Sequence, residues 1–302
     1  SQQYAQLGGD LIALLPLLTV WHLFPYLWHS LQQPTAGYLD VGDWHGQFSN
    51  IRMYDDALLV CLVLLWWRPA LLSHRFADWP VLLISTTYLF SLMMDGSRAT
   101  LLGLTMGMFS VVLFKPKFRS GVFLAGSGRW LSPARLMIAS FLLAGLAQWV
   151  LRKGMSLSFH QLERAETNLT SGRVELWQKA LGLWQQHPFL GFGGDQLGRN
   201  PPFLSSMHPH QLFLQWLTEW GITGLICLIF LLKLYQIFWQ LRARISAPLA
   251  SGLIATLVNL QLSGMGVYPL SQLLVIWLLA LCWAQTRQLY ATCAQQDTVA
   301  LK

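Results

Sequence analysis

Charge is scarce in this chain of 302 residues: Asp, Glu, Lys and Arg make up 11% of it, against roughly 25% in an ordinary globular domain. So little charge cannot cover a water-facing surface, and this excludes a soluble enzyme. Cysteine is scarce too. Cys61, Cys227 and Cys282 fall in apolar runs and Cys293 in a polar tail. No pair has C-x-x-C spacing, so they read as small apolar residues rather than a redox or metal framework. No D-x-D pair occurs anywhere, which disfavours a metal–nucleotide-sugar site. The chain opens at Ser1 without Met, a basic stretch or a small-residue cleavage site, so no signal peptide is expected there.

Hydrophobic residues are abundant at 54%, with 15 Trp and a mean hydropathy of +0.44. This is the composition of an integral membrane protein. A net charge of +7 raises nucleic acid as a partner, and the placement of the basic residues decides against it.

A membrane-crossing helix needs about 20 mostly apolar residues. Eight candidates stand out, at 10–29, 55–72, 79–95, 98–114, 133–151, 212–240, 248–263 and 267–290. Their apolar runs are continuous and do not alternate, so they predict helices and not barrel strands. Residues 79–95 and 98–114 face each other across Asp95-Gly96-Ser97-Arg98, a tight hairpin. The expected fold is an all-α polytopic bundle forming one membrane domain over 1–302. One large outer loop, 152–211, is inserted between spans.

Basic residues set the orientation. Lys115, Lys117, Arg119, Arg129 and Arg135 crowd one connection with no acid; Arg242 and Arg244 mark a second, and Arg68 and Arg75 a third. With eight spans all three fall on one side, which is then the cytoplasm, along with the C-terminus. The positive charge is a topology signal. Loop 30–54, the hairpin, loop 152–211 and the turn near 264–266 fall on the outer side. Seven of the eight His, all but His74, and ten of the 13 acids are on or near that face. Lys233 is the clearest ionisable group within a span. A coupled transporter would put carboxylates or His at midplane, so this pattern favours chemistry at the outer surface.

In the long loop, Ser171 or Thr170 can cap a helix running to about Gln186 and stopped by His187-Pro188. Leu176, Trp177, Ala180, Leu181, Leu183 and Trp184 share one broad face of it. That face suits either the headgroup layer or packing on the bundle. Gly191-Phe192-Gly193-Gly194 is either a backbone cradle for phosphate or a turn. His208 and His210 flank a proline, but no third ligand sits at a metal spacing nearby.

These residues carry a family likeness. His210-Gln211, nine residues, then Gly221-Ile222-Thr223-Gly224 resembles the signature of the O-antigen ligase superfamily, with Gln211 where Asn is commonest. Arg173-Val174-Glu175-Leu176-Trp177 with His187-Pro188-Phe189-Leu190-Gly191-Phe192-Gly193 looks like that family too. So do Gly96-Ser97-Arg98-Ala99 and Phe48-Ser49-Asn50-Ile51-Arg52. The likeness covers roughly 48–266, in the family's order.

The superfamily includes O-antigen ligases, Wzy-type polymerases and pilin O-oligosaccharyltransferases. The resemblance implies a helical GT-C-like fold in a bacterial inner membrane. It also implies a metal-independent, inverting glycosyltransferase, without cofactor, facing the periplasm. The implied donor is an undecaprenyl-pyrophosphate-linked glycan, and the acceptor a hydroxyl on lipid A-core, another glycan or a pilin. Family members have more spans than eight, so either an N-terminal part precedes Ser1 or this member is short.

The implied reaction makes two demands. An acceptor hydroxyl needs a base, and His is the usual choice near neutral pH. A pyrophosphate leaving group in a region of low dielectric needs fixed cations, and Arg binds phosphate with a planar fork. The resemblance points to His210 as the base, with Arg98 and Arg173 holding the pyrophosphate. Arg52, Arg199 and His208 are secondary candidates, and Gln211, Gln215 and Glu219 are candidates for orienting the base or acceptor. The plainer readings are a helix-entry histidine for His210, an ion pair with Asp95 or an interfacial residue for Arg98, and a solvated first-turn charge for Arg173. Ligation to lipid A-core is the leading expectation, ahead of polymerisation or pilin glycosylation, with a lipid-linked glycan transporter and a non-catalytic scaffold further behind.

Overall fold

The computed structural model describes residues 51–67, 78–94, 96–113, 133–154, 172–194, 199, 208–240 and 245–300. Eight α-helices make up the described secondary structure: α1 Ile51–Trp67, α2 Asp78–Met94, α3 Arg98–Leu113, α4 Pro133–Gly154, α5 Arg173–Gln186, α6 Leu212–Gln240, α7 Ala247–Leu262 and α8 Pro269–Ala300. The expected span at 10–29 lies outside the described residues, as do positions 68–77, 114–132 and 241–244, which carry most of the basic topology signal.

α1 is the central helix. Every side chain from Tyr54 to Trp67 is buried, as expected of a helix apolar on all sides. α7, α8 and α2 pack around it, while α3 lies along α7 and α2 along α4. One polar tie crosses this core from α1 to α2, between Tyr54 Oη and Ser91 Oγ (3.1 Å).

α1 starts at Ile51, four residues before the span boundary read from sequence, because Ile51, Arg52, Met53 and Tyr54 open the helix instead of ending the preceding loop. Asp55 and Asp56 therefore sit in its first two turns, each 1% exposed. They are a correction to Lys233 as the clearest ionisable group of the spans; Lys233 is exposed and bonds Gln236 Oε1 at 3.2 Å.

The hairpin between α2 and α3 forms as expected, with Gly96 in the left-handed region and the Ser97 amide bonded to the Leu92 carbonyl (3.1 Å). α5 also forms, but Gly172 stands at its N-cap with no side-chain cap, where Ser171 or Thr170 was the expectation.

Among the described residues, two helices are long and apolar enough to cross a membrane, Leu212–Gln240 and Pro269–Thr286; Trp79–Met94, Ala134–Val150 and Ala247–Leu262 are shorter and apolar. At 1.5 Å per residue, 16 or 17 residues rise only about 25 Å, short of a ~30 Å hydrocarbon core. The longest span is not one continuous helix. Gly221 has φ 60° and ψ −147° inside α6, which divides it into 212–220 and 222–240. The second segment alone rises about 28 Å and exposes Ile226, Ile229 and Phe230. The first is largely buried and walls the site described next.

Candidate active site

A helix broken inside a protein must satisfy the backbone groups that the break strands. In a continuous helix the Ile222 amide would bond the Thr218 carbonyl. Here it donates to Pro188 O (3.0 Å), while Thr218 O accepts from the Phe192 amide (2.9 Å) and Glu219 O from the Gly193 amide (2.8 Å). The loop after α5 thus completes the hydrogen bonding of α6. This answers the open reading of the Gly191–Gly194 stretch: the Gly191, Phe192 and Gly193 amides are engaged, the first with His187 O (2.9 Å), and form no phosphate cradle. Gly191 has φ 66°, and a β-carbon on it would lie 2.5 Å from the Glu219 carbonyl oxygen.

α5 is packed onto the first segment of α6 through Ala180, Leu183 and Leu214, with Leu176, Trp177, Phe192 and Phe213 around them. Between its two expected environments, this is the bundle. The Trp184 indole donates to Pro188 O (3.1 Å). The Trp177 indole donates to Pro209 O (3.0 Å), fixing α5 to the turn that carries the two histidines.

His210 is the one non-glycine among the described residues with positive φ, at 55°. Left-handed backbone on a side-chain-bearing residue costs of order 1–3 kcal/mol and persists only where its surroundings enforce it. The enforcing contacts are identifiable. The Trp177 bond holds the preceding carbonyl. On the other side, Gln211 caps α6: its side-chain oxygen accepts from the Leu214 amide, and its Nε2 donates to Gln261 Oε1 (3.1 Å). Gln211 thus takes the capping role that a shorter polar side chain usually fills, and shapes the turn that carries His210. His208 is buried, edge-to-face with His210 (ring centroids 4.2 Å) and with Tyr268 (5.5 Å).

Three arginines from three separate helices lie near one another: Arg52 and Arg173 within electrostatic reach of His210, and Arg98 within reach of Arg173. Burial first, then the charges of Arg52 and Arg98, lower the Arg173 guanidinium below its ordinary range, although it keeps its proton. Burial, then His208, Arg173 and Arg52, hold the His210 imidazole down to about 3. It is therefore a neutral imidazole at neutral pH, with a lone pair available. Arg52 of α1 is joined to Asp55 (Nη1–Oδ2 3.2 Å). Arg98 and Arg173 stand in the first turns of α3 and α5, where the helix dipole opposes a cation. Like charges gathered this way favour an anion among them.

Arg52, Arg98, Arg173, His208 and His210 are thus brought together. Gln215 and Glu219 are buried in the α6 wall and bonded to each other (Nε2–Oε1 3.1 Å). Arg199 is exposed and nothing among the described residues ties it to the cluster. Asp95, the ion-pair alternative for Arg98, lies outside the described residues, as do Phe48, Ser49 and Asn50.

Sequence reasoning missed the acids beneath the site. Asp56 accepts from Asn259 Nδ2 (2.8 Å) and Ser271 Oγ (2.9 Å), tying α1 to α7 and α8. An Asp-Asp pair within an otherwise apolar run was the available signal. A family model described as O-antigen ligase matches residues 80–229. No curated protein and no solved structure matches the chain.

Proposed function

The chain belongs to the O-antigen ligase family over residues 80–229, and on that premise we propose that it is a periplasm-facing, multi-pass glycosyltransferase of the inner membrane. It moves a glycan from undecaprenyl pyrophosphate to an acceptor hydroxyl, with lipid A-core the first acceptor class. The observation that carries this reading is the placing of Arg52 and Arg173 by the neutral, left-handed His210, with Arg98 beside Arg173.

In the proposed step, His210 takes the proton from the acceptor hydroxyl as that oxygen attacks the anomeric carbon. The bond from this carbon to the pyrophosphate oxygen breaks on the opposite face, giving inversion. Undecaprenyl pyrophosphate leaves with the electron pair. Charge develops on phosphate oxygens in a region partly screened from water, where fixed guanidinium groups are worth more than in bulk solvent. Arg98 and Arg173 are the proposed clamp, and Arg52 extends it toward α1. His208 packs on His210 and limits its rotation. The fixed cations supply the charge compensation that a metal supplies elsewhere, so no cofactor is required.

The experiment is incubation of the purified protein with a defined undecaprenyl-pyrophosphate glycan and, separately, lipid A-core, a pilin substrate or a second donor molecule. Transfer to lipid A-core supports the ligase reading. Chain extension or pilin glycosylation replaces it with a polymerase or pilin transferase; no transfer to any acceptor removes the enzyme reading.

A further inference from the structure

The two neighbouring carboxylates at the start of α1 are held in opposite ways. Asp56 has both oxygens hydrogen-bonded by uncharged donors, Asn259 on Oδ1 and Ser271 on Oδ2. That is how a buried acid is satisfied when its task is to join helices. Asp55 is equally buried, yet while Arg52 holds Oδ2, Oδ1 has no hydrogen-bond partner among the described residues. A buried acid paired on one oxygen alone is a poor stabilising device, since its desolvation is only partly offset.

Its surroundings suggest a different task. Arg52 and Asp55 are three residues apart on one helix face, and about a third of the Arg52 side chain is exposed. One edge of the guanidinium is therefore fixed on a carboxylate, and its other donors remain within electrostatic reach of Arg173 and His210. The Ser97 hydroxyl faces the same carboxylate, and the next residue is Arg98. Asp55 thus connects the helix bearing one cluster arginine with the hairpin bearing another. A free arginine loses roughly 2 kcal/mol of rotamer entropy on being ordered, and a site that orders it in advance does not incur that loss on binding.

We propose that Asp55 is a positioning residue of the anion site, acting through Arg52 to set the guanidinium that meets the donor's pyrophosphate. This rests on the pyrophosphate reading above.

The test uses the full chain in lipid nanodiscs and farnesyl pyrophosphate as the probe, with affinities measured by titration calorimetry for the wild type, Asp55→Asn, Arg52→Ala and the double variant. Asp55→Asn is expected to weaken binding about tenfold, and the double variant to bind no worse than Arg52→Ala, since coupled residues do not add. Wild-type affinity in Asp55→Asn, or independent losses that multiply in the double variant, overturns the inference. If Asp55→Asn does not fold, by its thermal unfolding in the same nanodiscs, Ser97→Ala takes its place. That variant is expected to bind about threefold more weakly, and unchanged binding overturns the inference. Asp55→Glu, which keeps the charge, should recover part of the affinity, which a merely structural role does not predict. A wild type that does not bind farnesyl pyrophosphate, or an Arg52→Ala/Arg98→Ala/Arg173→Ala variant that binds it equally well, overturns the pyrophosphate reading itself. Loss in Arg52→Ala with none in Asp55→Asn removes only the role given to Asp55.

Discussion

Gly221 and Phe189 meet backbone to backbone: a β-carbon on Gly221 would stand 2.4 Å from the Phe189 carbonyl oxygen. Two stretches that resemble one family separately, His187–Gly193 and the glycine ten residues beyond Gln211, are thereby parts of one joint. The glycine lets α6 break, and the loop satisfies the groups that the break exposes.

Gly221→Ala should therefore be severe. The combination φ 60°, ψ −147° is almost closed to other residues, and the neighbour is backbone, so strain of about 1–3 kcal/mol or more is expected. Turnover and thermal unfolding in detergent should both fall. Gly182→Ala on α5 is the contrast, because nothing lies within 4 Å of the added carbon and alanine favours a helix by about 1 kcal/mol. Equal behaviour of the two variants would refute the joint.

His210→Ala should reduce transfer by about 10²–10⁴-fold, the usual contribution of a positioned base, while farnesyl pyrophosphate still binds. Normal turnover of this variant would end the base assignment.

The pH dependence follows from the depressed imidazole. In the free enzyme His210 is down to about 3, against about 6.5 for ordinary histidine, so it stays unprotonated through the mildly acidic range. Its acid limb in kcat/KM, which reports the free enzyme, should thus lie well below pH 6. A bound pyrophosphate offsets the arginine charges, favours the imidazolium and raises the value, so the limb in kcat should lie at higher pH. For stability the sign is the same: the unfolded chain binds the extra proton between about pH 6.5 and 3, so folding weakens as pH falls through that window. Coincident kcat and kcat/KM limbs would show that donor and base are not electrostatically linked.

Arg98→Lys should lose transfer by about two orders of magnitude, because an ammonium cannot replace a planar two-point contact on phosphate. The wild type should keep full activity in excess EDTA. Wild-type rates in the lysine variant would show that charge alone suffices, and strict metal dependence would overturn the arginine clamp.

Much of this fold was legible in the sequence because continuous apolar runs admit few structures. Seven of the eight expected spans correspond to described helices, with ends within a few residues except at α8. α1 was misplaced at its start because residues 51–54, with Arg52 among them, read locally as loop, and only packing against α7 and α8 shows Asp55 and Asp56 to be buried and bonded. α6 read as unbroken because hydropathy registers side chains, whereas the break at Gly221 is a backbone event satisfied by a loop some thirty residues away. For the site, the residue types and their order pointed to His210, Arg98 and Arg173. The exposure of Arg199 and the capping role of Gln211 were not legible, since neither is written in spacing.

By itself, then, the sequence determined that the chain is helical and apolar, and which side chains are chemically able to act. Only the tertiary structure decided that guanidinium groups from α1, α3 and α5 share one site with an imidazole held in a left-handed turn. The physical reason is range: helix formation and hydrophobic patterning are local properties of the chain. Charge crowding, buried acids and the partners of a broken helix depend on contacts between residues as much as 215 positions apart, as with Asp56 and Ser271.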